Sequence, residues 1–194
     1  MSIFDNLKQI VERRFGINTI LSSDFLQYHH RGSCKIPCED CISKNNRVFE
    51  NNVEKPLVGD ENHPHCDCYY SEVQTKTAGS VSSRGIDGPD YWLKYYGKLP
   101  EYYITKEEAI NKYGWNSRRN TIFGKTNGKM IGGDIYRNDS IILPIKEGRT
   151  WKYCDVDYDS GGRSKLRLFY SNDGLMFFST NHLDKNNPVI YQVI

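Results

Sequence analysis

Apolar residues recur at helical spacing near the start of the chain. Between residues 3 and 15 they are Ile3, Phe4, Leu7, Ile10, Val11 and Phe15. This period predicts a short amphipathic helix that ends at Gly16, since glycine commonly follows a helix C-terminus. An isolated helix of this length is only marginally stable in water, so we expect it to pack on a partner surface.

From Ile86 onwards, the pattern predicts two short helices followed by strands. Asp87 is expected to cap the first helix, with Pro89 in its first turn. Thr105 and Glu108 have the spacing of a capping box at the start of the second helix. The strands are expected at residues 149–158, 165–171, 175–180 and 188–194. Helices followed by a run of antiparallel strands are typical of the α+β class.

Two local signals refine the strand region. Along residues 149–158, Tyr153, Asp155 and Asp157 would share one face of a strand, and Cys154, Val156 and Tyr158 the other. The next two strands are joined by Asn172-Asp-Gly174, a standard hairpin signal.

The chain divides into three parts by composition. Residues 1–70 hold the first helix and a cysteine-rich segment, and residues 86–194 carry the helix-then-strand pattern. Between them, residues 71–85 are polar and rich in small side chains, which is typical of a linker. We therefore predict a small N-terminal module, a linker and a larger C-terminal domain.

Charge is spread unevenly over the 194 residues, whose net charge is +2. Residues 81–194 hold 17 Lys and Arg against 13 Asp and Glu, whereas residues 1–80 are net acidic. A modestly basic domain suits a polyanionic partner, although such an excess is also ordinary for a small domain. No long apolar run predicts a membrane span, and the N-terminus lacks the apolar region of a secretory signal. We therefore expect a cytoplasmic location unless a non-classical route exports the chain.

Five of the six cysteines cluster in the N-terminal part: Cys34, Cys38, Cys41, Cys66 and Cys68. Cysteine pairs on both sides of a loop, with histidines beside the second pair, are typical of structural zinc. The ion would replace a core that so short a segment cannot build. We expect Cys38, Cys41 and Cys66 to be three ligands, and Cys68, His63, His65 or Cys34 to be the fourth. The alternative is one or two disulfide bonds in an exported protein.

This segment also resembles the cysteine-rich end of phage minor head morphogenesis proteins of the MuF family. The shared elements are Cys38-x-x-Cys41, Arg47-Val48-Phe49 and His63-Pro-x-Cys66-x-Cys68. In that family, such an end often precedes a variable toxin-like domain. The resemblance implies that phage head proteins are possible partners and that a virion is a possible carrier.

The C-terminal domain holds a candidate nucleic-acid site. Arg163, Lys165 and Arg167 would share one strand face, and guanidinium groups match phosphate oxygens. The same cations are also typical of a solvated edge. His182 is the single histidine of this domain, and a lone histidine is more often structural than catalytic. Asp134 follows two glycines, where we expect a close backbone approach.

Five motifs between Ile86 and His182 resemble the barnase family of microbial ribonucleases, in the same order and at nearly the same spacing. They are Lys98-Leu-Pro-x-x-Tyr-Ile-Thr-Lys106, Gly114-Trp115, Ile131-Gly-Gly-Asp-Ile135, Gly148-Arg-Thr-Trp151 and Ser160-Gly-x-Arg163-x-x-x-Arg167. The resemblance implies an antiparallel sheet with helices packed on one face. It also implies cleavage of single-stranded RNA after guanosine, through a 2′,3′-cyclic phosphate and without a metal ion.

The resemblance assigns roles to six residues. His182 matches the general acid, Arg163, Arg167 and Lys106 match the groups that stabilise the transition state, Asp134 matches the buried aspartate that organises the site, and Asn138 matches a residue of the guanine-binding loop. In that family, a glutamate takes the proton of the 2′-hydroxyl group.

Three positions depart from the family. Tyr153 replaces the general-base glutamate, Asp139 replaces an arginine of the guanine loop, and Leu183 replaces the aromatic residue after the catalytic histidine. A phenol is almost entirely neutral at pH 7, so Tyr153 acts as a base only if neighbouring cations favour its anion. Asp134 and Asp155 are the alternative bases. Since a general base contributes about 10² to 10⁴ in rate, its loss would leave a slow nuclease.

Two classes of function follow. The leading hypothesis is an endoribonuclease, acting as a toxin-type effector that a small acidic inhibitor protein holds in check. The alternative is a protein that keeps the fold and the phosphate-binding cations but only binds RNA or a protein partner. A phage head-associated protein is a further alternative. None of these hypotheses includes a membrane as a partner.

Overall fold

The structure, a computed structural model, describes residues 23–32, 38–159 and 162–194, which form an α+β fold. Within these residues the helices are α1 (Glu39–Lys44), α2 (Pro89–Tyr96), α3 (Lys106–Tyr113) and α4 (Ile122–Thr126). The strands are β1 (Phe25–His29), β2 (Val48–Glu50), β3 (Tyr69–Glu72), β4 (Thr75–Lys76), β5 (Tyr103–Ile104), β6 (Met130–Tyr136), β7 (Trp151–Asp155), β8 (Tyr158–Asp159), β9 (Gly162–Arg163), β10 (Arg167–Ser171), β11 (Met176–Ser179) and β12 (Ile190–Val193). The described helices are all too short or too polar to cross a membrane. The helix expected over residues 3–15 lies outside the described residues.

Seven strands form the central sheet, in the order β4-β12-β11-β10-β7-β6-β5. The five strands from β12 to β6 run antiparallel, as expected, and β4 and β5 add to the two edges in parallel. Strands β10 and β11 form the predicted hairpin. Its turn ends at Gly174, whose φ of 92° lies in a region that glycine adopts without strain.

Of the two helix starts predicted from capping signals, the structure contains one as expected. Thr105 accepts a hydrogen bond from the Glu108 N–H at 3.1 Å, as the capping box predicts. The expected cap at Asp87 is wrong, because a 3₁₀ turn over Gly85–Asp87 runs directly into α2 and Gly88 takes the capping position. A Cβ atom at Gly88 would lie within 3.0 Å of three neighbouring atoms, so there is no room for a side chain at this position.

The N-terminal part contains a three-stranded antiparallel sheet, in the order β2-β1-β3. We call residues 23–72, as far as they are described, the N-terminal module. Tyr28 on the middle strand is fully buried. Its ring meets those of Phe49 and Tyr70, from the flanking strands, edge to face at centroid distances of 6.5 and 5.4 Å. These aromatic contacts form the apolar centre of the small sheet.

Residues 71–85, expected to form a linker, are packed against the rest of the chain. They include the end of β3 and all of β4, which pairs with β12. Ala78 and Val81 are buried in the core below the central sheet. The carboxylate of Asp90 accepts the backbone N–H groups of Gly79 and Val81 at 2.6 and 3.0 Å. A segment with the composition of a linker is thus fixed by its backbone hydrogen bonds.

The central sheet is covered on both faces. Helix α2 packs on one face, where Leu93 lies against a core that includes Cys154, Leu168 and Phe178. The N-terminal module covers the other face, where one core joins Phe25 and Val48 of the module, with the adjacent Val73, to Trp151, Tyr153, Phe169, Phe177 and Leu183. Tyr153 and Cys154 therefore enter different cores, as the predicted alternation requires.

A buried arginine ties the N-terminal module to the central sheet. The side chain of Arg149 is 3% exposed, and its Nη2 lies 2.8 Å from a carboxylate oxygen of Glu50 on β2. The same nitrogen lies 2.8 Å from Asp173 in the β10–β11 turn. The hydrogen bond from Arg149 lowers the pKa of Asp173. This half of the bridge therefore stabilises the fold at neutral pH, and its contribution is lost as the pH falls through the lowered pKa.

We predict that Glu50→Gln lowers the free energy of unfolding by about 1 to 2 kcal/mol, because it removes a charged hydrogen-bond partner from a buried guanidinium group. The measurement is a urea titration of the full chain. Glu54→Gln, at an exposed position of the same module, is the matched control. Equal midpoints for the two variants would show that the Arg149–Glu50 bridge adds nothing.

Candidate functional site

A buried carboxylate lies at the centre of the candidate active site. Asp155, the last residue of β7, is 0% exposed. Arg163 donates to both of its oxygens, from Nε at 2.6 Å and from Nη2 at 2.9 Å. Arg167 stands opposite Asp155 in the sheet register and brings Nε within 3.0 Å of Oδ1. Such partners are required, because an ionised carboxylate buried without them is strongly destabilising.

The two guanidinium groups share this one carboxylate, which leaves an excess of positive charge. Burial opposes the charge of Arg163, but its hydrogen bonds and attraction to Asp155 raise its pKa overall. Burial lowers the pKa of Arg167, and Asp155 offsets this only in part because Arg163 adds repulsion. Among the described residues, Arg167 Nε finds no aligned hydrogen-bond acceptor despite its approach to Asp155. A second anion such as a phosphate would complete the cluster.

The imidazole of His182 stands beside the two arginines. Its side chain is exposed at the surface, and its backbone N–H donates to the Lys165 carbonyl at 2.8 Å. Partial desolvation, and then the charges of Arg167 and Arg163, lower the pKa of His182. His182 and Leu183 both adopt left-handed backbone conformations, with φ of 62° and 53°. Such strain in residues other than glycine is typical of functional sites.

Lys106 and Tyr153 lie on the same side of the site. Lys106 Nζ is 5.2 Å from the centre of the Tyr153 ring, a cation–π distance. Tyr153 is only 8% exposed. Asp134 lies opposite Tyr153 in the register of β6 and β7, and its two oxygens accept the Lys106 backbone N–H at 3.1 and 3.2 Å. Directly opposed residues share a face of a sheet, so the Asp134 carboxylate lies beside Tyr153.

Asn138 shapes the loop between β6 and β7. Its amide nitrogen donates to the Leu143 carbonyl at 2.9 Å, and its amide oxygen accepts the Leu143 N–H at 3.1 Å. Asn138 is 8% exposed and left-handed, with φ of 53°. Both ends of its amide are thus engaged within the loop. The neighbouring Asp139 is exposed.

The structure places the organising aspartate elsewhere than the sequence predicts. Asp134 was expected to be buried at the centre of the site, but it is half-buried and binds the start of α3. Asp155 is the buried carboxylate that holds the arginines. Lys165, expected to share a face with these arginines, is exposed and contributes its carbonyl to His182. The sequence feature that could have identified Asp155 was the strand alternation, which places Asp155 on the same face as Tyr153.

A second cluster lies in the N-terminal module. Of the three groups of candidate ligands there, one is His30, Asp67 and Cys68, and the other two share Cys41. These two are Cys41, Cys66 and Cys68, and Cys38, Cys41 and His63, with the atoms of each group within 4.8 Å of one another. Sulfur ligands of a tetrahedral zinc ion lie about 3.8 Å apart, so this thiol cluster can hold a metal ion. His65 is exposed and belongs to none of the three groups. Cys34 lies outside the described residues.

Hydrogen-bond donors surround the sulfur atoms of the thiol cluster. The Asn62 amide donates to the sulfurs of Cys41 and Cys66 at 3.3 and 3.6 Å. The hydroxyl of Tyr28 is buried among the cysteines and has no hydrogen-bond partner within the described ranges. The four cysteines of the cluster are not joined by disulfide bonds. Donors that converge on sulfur suit metal-bound thiolates, which carry negative charge.

Three similar bacterial proteins are each named Ribonuclease. Those of Heyndrickxia coagulans, Bacillus intermedius and Bacillus pumilus are each 41% identical to this chain over 97 residues. The match covers half of this chain, 88% of the Heyndrickxia coagulans protein and 59% of the other two. The chain belongs to this ribonuclease family. It thus spans most of the first relative and less than two thirds of the Bacillus relatives. No protein-family model matches the chain.

Membership of the ribonuclease family confirms the resemblance to a microbial ribonuclease. The family accounts for the matched half of the chain. The resemblance of the cysteine-rich segment to MuF head proteins stays a prediction.

We predict that the pKa of His182 in the free protein is lower than the ordinary histidine value, because of partial desolvation and the charges of Arg167 and Arg163, and that a bound anion raises this pKa. Inorganic phosphate would offset the charges of Arg163 and Arg167, which disfavour the imidazolium form. The measurement is an NMR titration of the ring protons, with the signal assigned by its loss in His182→Gln. A pKa at or above the ordinary histidine value would contradict the described arrangement.

Proposed function

We propose that the chain is an endoribonuclease that cleaves single-stranded RNA by transphosphorylation, leaving a 2′,3′-cyclic phosphate. The observation that carries this proposal is the exposed His182 beside two arginines that share one buried carboxylate. The arrangement combines a proton-transfer group with a site for an anion. The name of the relatives supports RNA as the substrate.

In this proposal, the scissile phosphate binds beside Arg163 and Arg167. Their excess positive charge stabilises the negative charge that the phosphate oxygens gain as the 2′-oxygen attacks phosphorus. Asp155 fixes both guanidinium groups in advance, so they need little rearrangement during the reaction. Protonated His182 gives its proton to the departing 5′-oxygen as the bond from phosphorus breaks. No metal ion takes part in these steps.

Asp134 is our proposed acceptor of the 2′-hydroxyl proton. Asp155 is fully buried with both oxygens facing arginines, which leaves it no access to substrate. A phenol must first lose its own proton before it accepts another, so Tyr153 is the weaker base at neutral pH. Asp134 shares the face of Tyr153, and carboxylate oxygens retain accepting capacity beyond one N–H group.

The guanosine preference of the barnase family is expected to be relaxed in this chain. The Asn138 amide is engaged by Leu143 at both ends. Asp139 replaces an arginine in the same loop and adds a negative charge near the RNA backbone. Product sequences from an oligoribonucleotide that contains all four bases would measure this preference.

We predict that the full chain cleaves such an oligoribonucleotide to products with 2′,3′-cyclic phosphate ends. His182→Ala should lower kcat by about 10² to 10⁴, the usual contribution of a general acid. The kcat/KM for cleavage should fall as the pH rises through the lowered pKa of His182 in the free protein, because the acid must be protonated. Mass spectrometry of the products is the readout, and the matching oligodeoxyribonucleotide, which lacks the 2′-hydroxyl, is the control.

Two further variants separate the possible bases. Asp134→Asn should reduce cleavage more than Tyr153→Phe if the carboxylate is the base, and the reverse order would assign the role to Tyr153. Tyr153→Glu should raise kcat, because it restores the carboxylate of the family. An unchanged kcat in His182→Ala would exclude the proposed acid.

The second candidate function is binding without cleavage. The observation that favours it is Tyr153, a neutral side chain packed into the apolar core at the position of the family's base. An inactive native chain that becomes active as Tyr153→Glu would support this reading. The toxin-type role and an acidic inhibitor belong to the first candidate, and harm to cells that express the chain without an inhibitor would reveal them. A phage head partner rests on the MuF resemblance alone.

We also propose that the thiol cluster binds one structural zinc ion. Cys41, Cys66 and Cys68 supply three sulfur ligands, and Cys38 or His63 supplies the fourth. The ion would join the start of α1 to the Cys66–Cys68 segment and so stabilise the N-terminal module. The buried Tyr28 hydroxyl and the Asn62 amide would stabilise the bound thiolates.

We predict one zinc ion per chain in native mass spectrometry of the full protein. Cys66→Ser should lose the ion and lower the thermal midpoint, because metal binding contributes to folding. Cys154→Ala is the matched control, since Cys154 is buried in a different core and should leave metal binding unchanged. A metal-free protein whose midpoint does not respond to a chelator would rule out the zinc site.

A further inference from the structure

The segment that carries His182 is strained and therefore has to be held. We call residues 181–189, between β11 and β12, the His182 loop. Two successive residues of it, His182 and Leu183, have left-handed backbones. Each costs free energy relative to an extended conformation and persists only where surrounding contacts impose it. The position of the imidazole thus depends on whatever contacts the loop.

Two of these contacts come from the central sheet and its connections. The His182 N–H donates to the Lys165 carbonyl at 2.8 Å, and the Leu183 N–H donates to the Ser179 hydroxyl at 2.9 Å. Both hold the start of the loop. The same Ser179 hydroxyl donates to the Asn181 amide oxygen at 3.1 Å. The Asn181 amide nitrogen donates to the Asn187 carbonyl at 2.6 Å, which closes the loop on itself.

A third contact comes from the N-terminal module. The Asn46 amide nitrogen donates to the carbonyls of Lys185 and Asn186, at 3.1 and 3.2 Å. These carbonyls lie at the far side of the loop, more than 130 residues from Asn46 along the chain. Asn46 is 8% exposed, so water cannot readily replace its hydrogen bonds to the two carbonyls, and their loss would cost free energy. One side chain therefore clamps two successive peptide groups.

Asn46 is itself rigidly held within the module. Its N–H donates to the Tyr28 carbonyl at 2.9 Å, and its carbonyl accepts the Gln27 amide at 3.3 Å. It follows α1, and its φ of 68° lies in the left-handed region that asparagine tolerates. The clamp is thus anchored to β1, the middle strand of the small sheet.

The apolar side of the loop meets the same module. Leu183, next to His182, is 5% exposed and belongs to the core that also contains Phe25 and Val48. The Val48 N–H donates to the Ile142 carbonyl at 2.8 Å, so the module also holds the loop that carries Asn138. The N-terminal module thereby contacts both the His182 loop and the loop that carries Asn138.

We propose that Asn46 is a positioning residue for His182, and that the N-terminal module is a working part of the ribonuclease site. Asn46 does not touch substrate. It acts through the His182 loop, whose strained conformation it helps to impose. The effect on catalysis rests on the proposed function, whereas the effect on the loop does not.

The test compares Asn46→Gly with Asn45→Ala in the full chain. Glycine keeps the left-handed backbone but removes the clamp. The Asn45 side chain accepts the His30 N–H at 2.9 Å within the module, and it has no described hydrogen bond to the His182 loop. Asn45→Ala therefore removes a hydrogen bond from the module but leaves the contacts of the His182 loop in place. Asn46→Asp is a second variant, which turns the donor into an acceptor that faces two carbonyl oxygens.

The first readout is amide hydrogen exchange, which does not depend on activity. We expect faster exchange at residues 182–187 in Asn46→Gly and Asn46→Asp, and unchanged exchange there in Asn45→Ala. The second readout is RNA cleavage. We expect kcat to fall about tenfold to a hundredfold in the Asn46 variants with little change in KM, since a small misplacement of a catalytic group acts on the chemical step.

The pattern of results separates this proposal from the proposed function. If the native chain does not cleave RNA, the proposed function fails, and exchange together with the NMR titration of His182 decides the positioning role. Faster loop exchange with a shifted His182 titration in the Asn46 variants then supports it. Unchanged exchange and titration, or equal losses of kcat in Asn46→Gly and Asn45→Ala, would overturn it.

Discussion

The carboxylate of Asp155, enclosed between Arg163 and Arg167, is the interaction on which the candidate site depends. A buried carboxylate needs cationic partners, and the fold delivers them by two routes. Arg167 arrives through the register of β10 against β7. Arg163 arrives through the small β8–β9 pair, in which it stands opposite Tyr158. The same contacts that neutralise Asp155 leave one positive charge in excess, and this excess would favour the binding of a phosphate group.

The face of the central sheet that bears this site is completed by the N-terminal module. Tyr153 is a residue of the candidate site, and Leu183 follows His182 in the chain. Both lie in the core to which the module contributes Phe25 and Val48. Arg149 adds a charged connection between the module and the β10–β11 turn. The thiol cluster lies in this same module, with Cys41 on the helix that precedes Asn46. A metal ion held by the thiol cluster would therefore be connected to the His182 loop through one short helix.

The sequence predicted best what depends on neighbours in the chain. The capping box at Thr105, the hairpin at Asn172-Asp-Gly174 and the alternation at Tyr153 are short-range signals, and the structure contains each of them. It predicted less well what depends on distant partners. Residues 71–85 have the composition of a linker, yet the carboxylate of Asp90 fixes their backbone.

The same distinction explains the results for the site. The resemblance to the barnase family was enough to select Arg163, Arg167 and His182, and the charges of the two arginines act on the imidazole in the structure. Burial of Asp155 rather than Asp134 was not visible, because burial depends on how β7 and β10 pair. The contact between Asn46 and the His182 loop has no local signal at all, since its two ends lie in different halves of the chain.

The tyrosine at position 153 is consistent with this packing. With the N-terminal module in place, residue 153 borders an apolar core with Phe169 and is nearly enclosed. An aromatic ring gains free energy from that environment, whereas a carboxylate there would be desolvated and would depend on Lys106 and the two arginines for compensation. A glutamate at this position would thus be held between apolar and cationic neighbours, an environment that can sustain a base. The apolar side chains that the module contributes and the aromatic ring at position 153 are therefore mutually compatible in one core.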